Sequence, residues 1–181
     1  IIVSIILKIK IKKDEEEEIE FPGAEELDRA MFEHQELSDN GNIDDNYYVI
    51  NINHNSKNTN SKVINHGLNI TSSKLDFLVN GIVNKESSNV ICNQDSKIIL
   101  KKDNNSSIKP NLLVNNYDTT CNHSCYIGHF KEEEMFYLNS RGLSKKTSEE
   151  LLSKAFLLSN MDINFLNRNM ILEDLKLIGG E

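Results

Sequence analysis

"LDFLVNGIVNKESSNVICNQDSKIILKKDNNSSIKPNLLV", residues 75–114, decides the fold. Its apolar runs are short, roughly three to five residues, and Asn, Ser, Asp and Lys separate them. Runs of this length, rich in Val and Ile, read as short strands. The pattern continues upstream through "YYVINI" (47–52) and "KVINHGLNI" (62–70). Strands recurring every ~8–16 residues suit a sandwich or a parallel β-helix. Dipeptides that close two-residue hairpins are not repeated at the junctions from residue 47 onward, where Asn80-Gly81 is the exception and a hairpin candidate. The expectation is therefore a β-helix, each coil adding a short strand to each sheet. Asn, which tolerates the left-handed region and makes local turns, suits the corners of such coils.

Downstream, the periodicity becomes helical. "KEEEMFYLN" (131–139) carries acids in its first turn, where the helix dipole favours them. Gly142 is placed to end that helix in a Schellman motif with Leu143 returning toward Leu138. Ser144 is an N-cap for a second helix, with a Thr147–Glu150 capping box as the alternative start. Leu151, Leu152, Ala155, Phe156 and Leu158 are expected on its packed face. A third helical segment is expected in "INFLNRNMILEDLKL" (163–177), before Gly179-Gly180.

Upstream, "IIVSIILKIKIKK" (1–13) reads as one strand. It is too short to span a bilayer, and no basic segment precedes it. The expectation is a chain cut inside a strand. "DEEEEIEF" reads as a solvated turn or helix start. Pro22-Gly23 breaks the chain, and Leu27, Met31 and Leu37 mark a short helix. The following loop predicts poor order across residues 38–62. Three regions result: residues 1–46 as strand, acidic helix and linker, 47–129 as β coils, and 130–178 as a helical domain.

The net charge of −8 and pI of about 5.2 leave no basic surface for nucleic acid. Asn is abundant, about two dozen residues, which with Lys and Ile points to AT-rich coding. The three cysteines, Cys92, Cys121 and Cys125, form no secretory framework and fit a reducing compartment.

A strand over 119–127 puts Cys121, His123 and Cys125 on one face. Thiolates and imidazole are suitable ligands for iron or zinc. Alternate side chains on one strand start about 7 Å apart, so they cannot close a tetrahedron alone and a second chain must complete it. His34, His54, His66 and His129 are expected at the surface or in turns.

At this point the chain resembles the SufB/SufD family, the scaffold proteins of SUF iron–sulfur cluster assembly, and SufD more than SufB. Lys109, Pro110, Leu112, Asp118, Cys121, His123 and Gly128 fall on the family pattern without a gap. So do Phe136, Tyr137, Leu138, Ser140, Arg141, Gly142, Leu151, Leu152, Ala155 and Phe156. The departures are Leu113, Tyr117 and Ser124-Cys125-Tyr126. The clear resemblance spans about residues 105–160, without the N-terminal helical domain and most of the β-helix expected of the family.

The resemblance implies a mostly β fold with α: a partial right-handed parallel β-helix followed by a C-terminal helical domain. It implies a non-catalytic scaffold subunit that helps build a transient Fe–S cluster at its interface with a SufB-like scaffold. His123 would be the metal-site residue there, with Cys121 beside it. The helical end would dock a SufC-like ABC ATPase, with Glu133, Glu134 and Arg141 as contacts and Met135, Phe136 and Leu138 packed on the β body. No Gly-x-x-x-x-Gly-Lys loop exists, so no nucleotide is expected on this chain. A SUF protein with AT-rich coding implies an apicoplast-type plastid, with the cytoplasm as the other location.

The second reading is a β-helix structural or interaction protein without metal function. A third, Cys121 and His123 as nucleophile and base, lacks oxyanion donors and a third group in the sequence. Cys125, off the family pattern, carries no expected role, and neither does Cys92.

Overall fold

The computed structural model describes the backbone of residues 3–13, 17–20, 30–37 and 45–159, and the side chains of residues 46–159. Strands β1 (Val3–Lys13), β2 (Glu17–Glu20), β3 (Ala30–Leu37) and β4 (Asp45–His54) come first. They are followed by β5 (Thr59–Asn69), β6 (Leu75–Val83), β7 (Val90–Leu100), β8 (Ser107–Val114) and β9 (Thr119–Gly128). Two helices close the described chain, α1 (Glu132–Ser140) and α2 (Lys145–Leu158).

From β4 onward the chain alternates between two sheets. One has the order β2-β1-β5-β7-β9, the other β3-β4-β6-β8. β5, β7 and β9 are parallel neighbours, as are β4, β6 and β8. Each pair of successive strands is thus one coil, and three coils stack in the manner of a partial β-helix. Asn46 pairs with Leu75 and Thr59 with Val90, so the repeat is 29 residues in one sheet and 31 in the other. In the next coil the values exchange: Asp76 pairs with Ser107 and Val90 with Thr119.

Period-two patterning sets the interior. β6 turns Leu75, Phe77, Val79, Gly81 and Val83 inward, and β7 turns Val90, Cys92, Gln94, Ser96 and Ile98 toward them. Ile50, Ile52, Val63, Leu75, Phe77, Val79, Ile98 and Leu100 form the main core, drawn from both sheets. Gly81 is required by close approach: a Cβ there would lie 2.8 Å from both Cys92 Sγ and Gln94 Nε2.

The asparagines act in two ways. At one corner Asn58 and Asn89 take positive φ, 56° and 53°, which Asn tolerates better than most residues. Elsewhere Asn69, Asn104 and Asn116 accept the backbone N–H two residues on, at 3.0, 3.0 and 2.8 Å, forming Asx turns. Other asparagines stack in register. The Asn80 amide donates to Asn51 Oδ1 at 2.7 Å, and Asn111 to Asn80 Oδ1 at 2.9 Å. Asn89 donates to Asn58 Oδ1 at 2.9 Å and Asn122 to Asn93 Oδ1 at 3.2 Å.

The two ends of the stack differ. At one end β1 lies antiparallel on β5 and β3 antiparallel on β4. At the other end β8 and β9 are edge strands. Helix α1 ends as the sequence predicts. Gly142 has φ 89°, its N–H donates to Asn139 O, and the Leu143 N–H donates to Leu138 O. Ser144 Oγ caps α2 by accepting the Thr147 N–H at 3.1 Å. Helix α2 packs Leu157 against Leu68 and Ile99, on the outer face of the β5–β7 sheet. Phe156 stacks on His66, 4.3 Å between ring centroids, and its carbonyl lies 2.9 Å from His66 Nδ1.

Several expectations are corrected. Residues 30–37 are a strand rather than a helix, paired with β4, and Glu17–Glu20 pairs with β1 rather than forming a solvated turn. Residues 45–54 and 59–69 are strands in place of the expected poor order; residues 38–44 lie outside the described residues, as does the segment 163–177. The strands run 8–11 residues in the coils, because Asn, Ser and Gln continue them past each apolar run. Asn80-Gly81 sits inside β6, where parallel pairing on both sides replaces the hairpin. His54 and His66 are buried. The inner face of α2 runs through Ser148, Ser153 and Leu157, leaving Leu151 and Ala155 exposed.

Replacing Gly81 by Val should lower stability by about 1–3 kcal/mol, the range for overpacking a filled interior. A denaturant midpoint unchanged from wild type would show that Cys92 and Gln94 can move aside.

Candidate functional site

In-register pairing defines what β9 can present. Cys92 pairs with Cys121, Gln94 with His123 and Ser96 with Cys125. Cys92, Gln94 and Ser96 are all buried and inward-facing. The same columns continue into β5 as Ser61, Val63 and Asn65, also buried. Cys121, His123 and Cys125 therefore belong to the inner row of the last coil. They differ from the residues beneath them because β9 is an edge strand. His123 and Cys125 are exposed and Cys121 is partly buried. Val114 and Ile127, on the corresponding rows of β8 and β9, are exposed as well.

The thiols are unlike one another. Cys121 stacks directly over Cys92 in the register, and Ser61 lies beneath Cys92. Burial, followed by the neighbouring Cys92, pushes the Cys121 thiol up to about 11. Burial raises Cys92 too. Both are protonated near neutral pH and gain thiolate character only when a metal or base takes the proton. Among the described residues, no group of three or more His, Cys, Asp and Glu side chains is placed to hold a metal ion.

Deeper in the same interior lies a polar contact that sequence reasoning missed. His54 places Nδ1 2.7 Å from Thr59 Oγ1 and Nε2 2.8 Å from Ser61 Oγ. Burial lowers its pKa. Two hydroxyls satisfy both ring nitrogens of a neutral imidazole, one as donor and one as acceptor. The only sequence signal was Thr59 and Ser61 alternating after an Asn-rich corner.

The helical end presents a second surface. Glu133, Glu134 and Arg141 are exposed, as expected. Glu134 also acts locally, its carboxylate accepting the Lys131 N–H at 3.1 Å at the start of α1. The Arg141 guanidinium lies 5.3 Å from the centroid of the Tyr137 ring, a cation–π distance. The expected packing of Phe136 on the β body is corrected. No residue of α1 is buried, and Phe136 is 74% exposed and Tyr137 57%. Met135 and Leu138 are partly buried.

A stack of parallel coils with an open inner row at one end and a short helical appendix has the architecture of a partial β-helix solenoid. The chain belongs to the SUF system FeS cluster assembly family: it matches the SufBD core domain over residues 28–156. No curated protein matches it. Membership places the chain in SUF iron–sulfur cluster assembly, which is carried out by complexes with several subunits, and in a family that is in general scaffold-like rather than catalytic. Among the described residues no helix is long and apolar enough to cross a membrane.

The His54 arrangement sets a pH dependence. Its folded pKa lies below 6.5, so the folded chain binds the proton less well than the unfolded chain. The stabilisation is complete above the unfolded value and is lost as pH falls below it. His66, also lowered by burial, acts in the same direction. The urea midpoint should fall between about pH 7.5 and pH 5.5, and less so for His54→Gln. Equal acid sensitivity in the two proteins would show that His54 is already solvated.

Proposed function

We propose that this chain is a non-catalytic scaffold subunit of a SUF complex, nearer to SufD than to SufB. Its coils wind right-handed, the sense in which parallel strands of one sheet are nearly always connected. It pairs through β8 and β9 with a SufB-like scaffold, and the nascent Fe–S cluster forms at that junction as cargo. The observation that carries this reading is the position of His123. It lies on the inner row of the last strand, exposed, with a buried column beneath it. A neutral imidazole is a competent iron ligand near neutral pH. Cys121 is the thiol that the family pattern sets beside it. The remaining ligands come from the partner, since one strand cannot surround an ion.

The helical end docks a SufC-like ABC ATPase, which alone binds nucleotide. Exposed Phe136 and Tyr137 supply the apolar centre of that contact, and Glu133, Glu134 and Arg141 its polar rim. An apicoplast-type plastid is the compartment proposed from the AT-rich coding.

Two experiments test the two surfaces. His123→Ala should abolish or strongly reduce cluster formation in the anaerobically reconstituted complex, read as cluster absorbance and iron content. Its stability should stay within about 1 kcal/mol of wild type, because an exposed edge position leaves no cavity. Wild-type iron loading would remove His123 from the site; a large loss of melting temperature would make it a structural residue. The double variant Phe136→Ser, Tyr137→Ser should lose the ATPase subunit in co-purification while keeping the SufB-like partner. Undiminished ATPase capture would move the docking surface elsewhere.

A further inference from the structure

We propose that Cys125 is the thiol that joins His123 in holding a borderline divalent transition-metal ion, with Cys121 engaged instead by Cys92. The inference deepens the scaffold reading by placing Cys125 where that reading set Cys121, and rests on it only for the partner that completes the site.

Cys121, His123 and Cys125 stand at alternate positions of one inner row. His123 therefore has a thiol on each side, each about 7 Å away at the backbone. The two sides are not equivalent. Cys121 lies directly over Cys92 in the register, and it is partly buried. Turning toward His123 would lift it off Cys92 and expose the Cys92 sulfur. Cys125 is exposed, and the residue beneath it is Ser96, whose hydroxyl already accepts the Asn65 amide at 2.8 Å. Its thiol can lean toward the imidazole without disturbing a sulfur pair.

A second observation lies under the pair. Gln94 is directly below His123 in the register and is buried, and its Oε1 has no hydrogen-bond partner among the described residues. Buried amide oxygens are rarely left unpaired. A ligating histidine needs an acceptor for its other ring N–H, and such acceptors fix the tautomer and orientation. Gln94 Oε1 is an acceptor of that kind in the same column. Asn65 Oδ1, in the column below Cys125, is likewise buried and unpartnered. Unspent acceptors thus lie beneath both members of the proposed pair.

Binding replaces the Cys125 thiol proton: the S–H bond breaks, a sulfur–metal bond forms, and the proton leaves to solvent. No oxidation occurs. His123 contributes a neutral nitrogen. Two positions from this chain leave two for water or for the partner, within a tetrahedral set.

The test uses cobalt(II) on the whole chain without partners, read through thiolate-to-cobalt charge-transfer absorption. Wild type and Cys121→Ser should show the band. Cys125→Ser and Cys125→Ala should lose it, and His123→Ala should weaken binding at least about tenfold. Each variant is first matched to wild type by circular dichroism and melting. A band that survives both Cys125 variants, or that vanishes in Cys121→Ser, overturns the assignment. So does affinity unchanged in His123→Ala. Because cobalt binding needs no partner, its failure beside an inactive His123→Ala complex would remove Cys125 and leave the scaffold reading standing.

Discussion

In-register stacking of parallel strands is the constraint from which the rest follows. At a repeat of 29 to 31 residues, every side chain meets its own counterpart one coil away. Like must therefore tolerate like. Asn, with a donor and an acceptor on one amide, does so along the outer rows. Small polar residues and cysteine do so inside, in columns such as Ser61–Cys92–Cys121. Across the interior the rule is reversed, and large meets small: Gly81 leaves room for Cys92 and Gln94, as Gly67 does for Leu75 and Phe77. An amide-rich, weakly apolar sequence can still build a filled core under this arrangement, because several polar groups, such as the Asn65 amide on Ser96, find partners in the neighbouring coil.

The same constraint builds the candidate site by leaving it unfinished. Nothing about β9 sets it apart from β7 except that no described strand lies beyond it. Residues that would be interior in a middle coil become surface in the last one, and His123 is the clearest case. A row suited to being covered exposes the proposed ligands at strand spacing, too far apart to enclose an ion. The proposed chemistry thus depends on what completes the coil. The family membership agrees with work performed by an assembly.

Much of this was legible in the sequence, for reasons that also explain the misses. The alternation of short apolar runs and the lack of hairpin dipeptides gave parallel coils. Asparagine was expected at coil corners, where Asn58 and Asn89 stand, but not at those two positions in particular. Gly142 and Ser144 gave the helix boundary, since capping chemistry is local. The Cys121–His123–Cys125 face followed from period two alone. The repeat length was missed because apolar runs mark only the middles of strands, and Asn and Ser extend them at both ends. Residues 30–37 read as helical from Met31 and Leu37, yet pairing with β4 overrode that weak spacing. His54 was set at the surface because its partners, Thr59 and Ser61, come together only around a corner. Phe136 was expected in the core because hydrophobicity alone cannot distinguish a packed face from an exposed one.

The asparagine rows have one further property: they are vectors. In each row the later coil gives its N–H and the earlier coil receives it, from Asn111 to Asn80 to Asn51 and from Asn122 to Asn93. Each amide is thus oriented by the one before it, and the row has a head and a tail. At the β8–β9 end the oxygens of Asn111 and Asn122 are the tails, the positions at which a following coil would place its donors. A strand arriving there with side-chain N–H groups extends the polarity of the stack. One arriving with oxygens meets its own sign. Two copies of this end set face to face would bring oxygen against oxygen along both rows.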